Sequence, residues 1–246
     1  MATKIAQEHK ASLKYDLKRI AKAKELLVQL TQDNVARVES MIRNDSDYSN
    51  SANELSESSS AFWLNKLSAV ILDGKKVSDE EYENIVFQSV SAIDRENSTH
   101  LNADGVGREE LTQRILQLKK SDLLRYLKQP QKDGYKLVDI LAAPTHPVEA
   151  KMKSRRNPSF ASKFCHYACM YIFRDSEEQD NFSIFDSVVC KHMPKYAKHY
   201  NIPIPSDYRE SYAAYISTID KIIIASGNEI SRNGFDHLLW YFHKAR

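Results

Sequence analysis

The sequence predicts an all-α protein, on three observations. Apolar residues recur at three- and four-residue steps along most of the chain. Two-residue alternation, the mark of strands, is hard to find, and only 6 glycines occur in 246 residues. A hydrophobic content of 42% supports a real core. The net charge of +2 and the pI near 8.3 are too mild to mark a nucleic-acid partner by themselves, so local clustering has to decide. Cys165, Cys169 and Cys190 cannot all pair and form no disulfide framework, which points to a reducing, cytoplasmic setting. No apolar leader follows Met1, and no stretch approaches the roughly 18 apolar residues of a membrane helix, so neither secretion nor a membrane span is expected.

Each element follows from its own pattern. From about Ser12 to Arg43, Leu13, Leu17, Ile20, Leu27, Leu30, Val38 and Met41 fall on one stripe, read as one long helix or two broken near Asp33-Asn34. The lysines opposite read as a solvated face, with DNA contact the lesser alternative. Residues 44–60 are rich in Ser, Asn and Asp and read as a linker. Ala61 to Leu72 is a buried helix stopped near Gly74, and Ser78 with Glu81 opens the next by a capping-box spacing. Gly105-Val106-Gly107 lacks a preceding strand and a following Lys-Ser/Thr, so it is a polar loop and not a phosphate loop. Leu111, Ile115 and Leu118 mark another helix. Ser121 caps a short one that Pro130 stops, and Tyr135 to Ala143 carries a further apolar face. Pro144 and Pro147 then break the chain. The division expected is an N-terminal helical subdomain over 1–150 and a second over 151–246, with a cleft between them.

The second half centres on residues 157–186, NPSFASKFCHYACMYIFRDSEEQDNFSIFD. Asn157-Pro158-Ser159 is a turn, and Ser159 is expected to cap a helix buried through Phe160, Phe164, Tyr167, Ala168 and Tyr171. Lys163 lies at the edge of that face, in the first turn. A polar loop follows, then Phe182, Ile184 and Phe185 return the chain inward and deliver Asp186 to the start of the next helix. An Asp in that place is most simply an N-cap. The case for chemistry is the company it keeps. Lys151, Lys153, Arg155, Arg156 and Lys163 lead in with no acid among residues 151–163, and Lys191 and Lys195 follow. Cations interleaved with aromatics suit a phosphate backbone beside a stacked or flipped base. Beyond, Tyr208, Tyr212, Tyr215, Ile216, Ile219, Ile222 and Ile223 form a core stripe, and the last helix runs from Glu229 to Ala245. Its Asp236, His237, Trp240 and His243 are candidates to face the cleft.

This order of turn, basic residue at a helix start, apolar helix, loop, apolar-apolar-Asp and helix resembles the helix-hairpin-helix superfamily of DNA glycosylases, above all its 8-oxoguanine-glycosylase-like branch. The resemblance covers Lys151 to about Met193. It implies that Lys163 matches the lysine of bifunctional members and Asp186 the essential acid, 23 residues later. It also implies a hairpin gripping the DNA backbone. The chain departs from the family in having no glycine between Gly134 and Gly227, and no four-cysteine cluster of the iron–sulfur kind.

On that resemblance the chain is expected to cleave the N-glycosidic bond of a damaged or modified base, in repair or in phage defence. Asp186 would stabilise an oxocarbenium-like sugar or activate water. A neutral Lys163 would attack the sugar and form a Schiff base, adding strand nicking. Phe182, Phe185, His237 and Trp240 are candidates for the base pocket, with core packing the plainer role for the two phenylalanines. The partner is DNA, the protein a monomer, and no cofactor is expected. No metal is expected either: Cys165, His166, Cys169, Cys190 and His192 are close in sequence but contain no CxxC or HxxxH pair. The alternative is a non-catalytic helical DNA-binding or interaction protein.

Overall fold

Helices begin where the sequence supplies an acceptor for N–H groups that have no partner within the helix. In the computed structural model Ser59 Oγ accepts from Phe62 N, Ser78 Oγ from Glu81 N, Asn157 Oδ1 from Phe160 N and Ser211 Oγ from Ala214 N, at 3.0–3.2 Å. The structure describes residues 27–43, 53–97, 99, 101, 107–144 and 156–244. Among these residues there are helices and no strands, so the fold is all-α.

The helices are α1 (Gln32–Arg43), α2 (Ser60–Ile71), α3 (Asp79–Asn97), α4 (Gly107–Leu116), α5 (Lys120–Lys128), α6 (Lys136–Ala142), α7 (Pro158–Ile172), α8 (Ser187–His199), α9 (Tyr212–Ala225) and α10 (Arg232–Lys244). Short 3-10 turns lie at Pro130–Asp133 and Glu177–Asp180.

Several boundaries differ from expectation, each for a local reason. Residues 27–31 are not helical, so the first stripe is interrupted there; its part before residue 27 lies outside the described residues. Asn157, not Ser159, caps α7, because Pro158 takes the first helical position, where its missing N–H costs nothing. α5 begins at Lys120 without a side-chain cap, so Ser121 lies inside it. α8 runs on through Pro194 to His199. The missing N–H at Pro194 is tolerated because Met193, Tyr196 and Ala197 around it are fully buried. Tyr208 lies in a turn, and α9 waits for its Ser211 cap. Gly227 (φ 115°) and Asn228 (φ 59°) end α9, in backbone that ordinary side chains avoid.

The principal packing falls into two groups. α7 packs against α2, α3, α5 and α6, while α2 packs on α3 and α3 on α4. α8, α9 and α10 pack on one another, and α1 covers α10. α7, from the second half of the sequence, packs with the first group, and α1, from the first half, with the second. α7 is buried on nearly every side, with Phe160, Phe164, Cys165, Ala168 and Cys169 fully enclosed. α1 meets α10 at Gly234, where an added Cβ would stand 3.1 Å from Val35 Cγ2. One continuous apolar cluster links both groups. Where they meet, Tyr135, Phe182 and Tyr212 form a ring cluster with centroids 5.4–6.2 Å apart.

Candidate active site

Residues 182–186 belong to no helix or strand, and Phe182, Ser183 and Asp186 among them are buried. Their backbone groups must therefore find side-chain partners, because buried N–H and C=O groups left unpaired cost 1–3 kcal/mol in order of magnitude, roughly. Five side chains from three helices supply them. From α7, His166 Nδ1 donates to Phe182 O at 3.0 Å, and Ser162 Oγ accepts from Phe185 N at 2.9 Å. A carbonyl can only accept, so the His166 proton sits on Nδ1. From α9, Tyr212 OH accepts from Ser183 N at 3.0 Å and donates to Ser183 O at 2.5 Å, and Tyr215 OH donates to Ile184 O at 2.6 Å. From α10, Asp236 Oδ1 accepts from Ser183 Oγ and Oδ2 from Ile184 N, both at 2.6 Å.

This clamp hands Asp186 to the start of α8. Its Oδ1 accepts from Val188 N at 2.8 Å and from Val189 N at 2.9 Å. The other oxygen, Oδ2, has no hydrogen-bond partner among the described residues, and the residue keeps 9% exposure. Asp186 is thus a cap with one carboxylate oxygen to spare.

A second stitch holds α10 in register. Asp180 Oδ2 and Oδ1 accept from the backbone of Arg232 and Asn233, each at 2.8 Å. The Arg232 guanidinium donates to the carbonyls of Asp180 and Asn181 and makes a two-point pair with Asp220 at 2.7 and 2.8 Å.

Burial governs the protonation here. Asp236 is pushed well above the usual carboxylate range by desolvation; the bonds from Ser183 and Ile184 oppose the shift, and the nearby Asp186 and Asp180 add to it. Burial lowers His166 and takes His237 down to about 4, so both are neutral at pH 7. It also pushes the thiols of Cys165 and Cys169 up, and that of Cys190 to about 12, so all three remain protonated.

The remaining expected site residues divide by position. Lys163 is half-buried on α7, with Nζ 3.5 Å from Asn97 O. Phe185 is half-buried, edge-on to Tyr215 at 4.8 Å. Phe182 has no exposed surface and packs as core, so it lies behind any surface a base would touch. His237 is largely buried, its Nδ1 without a hydrogen-bond partner among the described residues. Trp240 is 38% exposed, tilted against Tyr241. Arg156 is held by Asp139 at 3.0 Å and by the Glu210 carbonyl, which reduces its freedom to meet phosphate. Lys191 and Lys195 are exposed, and Lys198 extends their face at helical spacing. Lys151, Lys153 and Arg155 lie outside the described residues.

Sequence reasoning missed Ser162, Ser183 and the clamping hydroxyls of Tyr212 and Tyr215. A signal existed at Ser183: a lone hydroxyl within an apolar run needs a buried partner. Elsewhere, an open groove of about 260 Å³ lies between α2 and α3, lined in part by Phe62, Lys66, Lys75 and Glu81. Among the described residues no group of three or more His, Cys, Asp or Glu is placed to hold a metal ion, and no helix is long and apolar enough to cross a membrane. Comparison with protein families, curated proteins and solved structures finds no match to this chain.

Proposed function

We propose that this chain is a DNA glycosylase, resembling the helix-hairpin-helix enzymes, that excises a damaged or modified base flipped out of DNA. The observation that supports it most is the bond between Ser162 Oγ and Phe185 N, 2.9 Å long. It ties the residue before Lys163 to the residue before Asp186, so the two chemical candidates come from one junction although 23 residues separate them.

In this reading Asp186 Oδ2 faces the deoxyribose. Its charge stabilises the oxocarbenium-like sugar as the base departs with the bonding electrons, or it takes a proton from the water that attacks C1′. Lys163, once deprotonated, is the nucleophile of a nicking activity. Phe185, His237 and Trp240 receive the flipped base, with Phe182 as the packing behind them. Lys191, Lys195 and Lys198 meet phosphates on the helix that Asp186 opens, joined by Arg156 and by Lys151, Lys153 and Arg155. The cleft between helical groups, the monomeric state and the cytoplasmic setting belong to the same reading.

The second reading, a non-catalytic helical DNA-binding protein, is favoured by one feature: Asp186 already has a structural task as the α8 cap. Incubating the protein with duplexes carrying a panel of damaged and modified bases separates the two. Abasic-site formation that disappears in Asp186→Asn, with duplex affinity kept, supports the enzyme. Duplex binding with no abasic sites from any substrate supports the binder. Borohydride trapping of a protein–DNA adduct, lost in Lys163→Ala, tests the lysine alone.

A further inference from the structure

We propose that Asp236 is a positioning residue: it grips Ser183 and Ile184 and so sets the direction in which the Asp186 carboxylate leaves the α8 N-terminus. The inference rests on the reading of Asp186 as the reacting carboxylate.

The argument starts from a cost. Asp236 is 3% exposed, and no cation lies within ion-pair distance among the described residues. A charge placed there would be desolvated with only the bonds from Ser183 and Ile184 to offset the cost. Apolar residues surround it on the same helix, with Phe235, Leu238 and Leu239 fully buried. An apolar side chain such as Leu would suit these surroundings but would make neither of the two bonds that the Asp236 carboxyl makes. Both go to the same short segment. Oδ2 takes the amide of Ile184 and Oδ1 pairs with the Ser183 hydroxyl, both at 2.6 Å. A protonated carboxyl meets this geometry fully: one oxygen accepts from Ile184 N, while the other carries the proton and exchanges donor and acceptor roles with the Ser183 hydroxyl.

The lever runs two residues, from Ile184 to Asp186. Tyr215 fixes the carbonyl of Ile184 and Ser162 the amide of Phe185, so little backbone freedom remains before the cap. Asp180, by capping α10, fixes the helix that carries Asp236. The loop and α10 are therefore stitched at two points, and the second lies nearest Asp186. His166, Tyr212 and Tyr215 hold neighbouring groups from outside that stitch.

Three variants test this: Asp236→Asn, Asp236→Ala and Ser183→Ala. Each is read by amide hydrogen exchange at residues 183–189, and by kcat and KM on whichever modified duplex the wild type cleaves. Asp236→Asn can still accept from Ile184 N and donate to Ser183 Oγ, so it is expected to keep both exchange protection and kcat near wild type. Asp236→Ala leaves Ile184 N unpaired, so exchange at Ile184, Val188 and Val189 is expected to quicken by roughly tenfold or more, with kcat falling similarly and KM unchanged. Ser183→Ala removes one bond, so an intermediate effect is expected, and it serves if Asp236→Ala fails to fold.

Wild-type protection in both Asp236→Ala and Ser183→Ala overturns the inference. So does loss of protection in Asp236→Asn, which would mean the grip needs a charge. If the wild type excises bases and Asp186→Asn abolishes this, unchanged kcat in a loosened Asp236→Ala overturns positioning and leaves the glycosylase reading intact. If the wild type excises nothing, the reading falls and takes the positioning role with it, while the exchange data still decide the grip.

Discussion

The backbone N–H of Val188 donates to Asp186 Oδ1 at 2.8 Å, and that single bond separates two roles that one carboxylate can hold. Asn caps helices about as well as Asp. Asp186→Asn therefore keeps the cap and removes the charge, whereas Asp186→Ala removes both. The expected outcome is a melting temperature close to wild type for Asn and a loss of about 1 kcal/mol for Ala. Base excision is expected to vanish in both. Chemical denaturation beside an abasic-site assay checks this. An Asn variant that excises at the wild-type rate would leave Asp186 as a cap alone.

Lys191, Lys195 and Lys198 stand exposed on one face of α8, and no carboxylate lies within ion-pair distance of them among the described residues. Lysines so placed can release counterions from DNA, and each phosphate neutralised contributes about 0.9 to the slope of log K against log salt on a duplex. The triple change to glutamine is expected to lower that slope by roughly 2–3, with thermal stability unchanged. Fluorescence anisotropy with a labelled duplex over a salt series measures it. An unchanged slope would take α8 out of the proposed DNA contact.

The helices were legible in the sequence because their causes are local. The apolar run from Ala61 to Leu72 and the Ser78 cap each act within one or two turns: the run folds as α2, and Ser78 Oγ accepts from Glu81 N. Asp186 was legible for the same reason, since a cap is a relation between residues two and three apart. The cap of α7 was displaced by two residues because Asn157 and Ser159 are both good acceptors; the preference of proline for the first helical position decides between them. The clamp on residues 182–185 was not legible. Its bonds join positions 16 to 53 residues apart, and nothing local to Ser162, Tyr215 or Asp236 says which backbone atom each will meet. Phe182 shows the converse limit. An aromatic near a candidate acid reads as core or as pocket wall, core being the plainer role, and its enclosure by Tyr135 and Tyr212 assigns it to the core.

Asp236 gives the protein a stability term of unusual sign. Its pKa is raised in the folded state by burial, so folding favours the protonated form. The contribution is full below the ordinary carboxylate value, about 4, and is lost as pH rises through the folded value. Asp236→Asn carries no proton to lose. Its stability relative to wild type is therefore expected to rise with pH across the range from about 4 to neutrality. The other groups facing Asp236 are Asp186, Asp180, Cys190, Tyr212 and Tyr215. The thiol and the two phenols are raised by burial and stay neutral in this window. Thermal melts of both proteins across the range give the difference directly. A difference that falls with pH would show Asp236 to be ionised in the folded protein.

His192 on α8 and His243 on α10 stack face to face, with ring centroids 3.6 Å apart and planes within 10°. The contact is stable only while at least one ring is neutral, since two imidazolium ions at that distance would repel strongly. Burial, with Lys195 and Lys191 nearby, takes His192 down to about 4; burial, with His192 and the same lysines, lowers His243 to about 3. Tyr196, the other group at His243, sits 3.4 Å from Nε2 and is itself raised, so it stays neutral. Both histidines have folded values below the unfolded one. Their contribution is therefore complete above about 6.5 and drains away as pH falls toward 4. His243→Phe keeps an aromatic ring against His192 and removes one of the two protons. The acid-side fall in melting temperature between pH 6.5 and 4 is expected to be shallower in this variant, while His237, lowered to about 4 on the same helix, leaves part of the slope in place. A fall as steep as wild type would mean that the stacked pair has no part in the acid sensitivity of the α8–α10 contact.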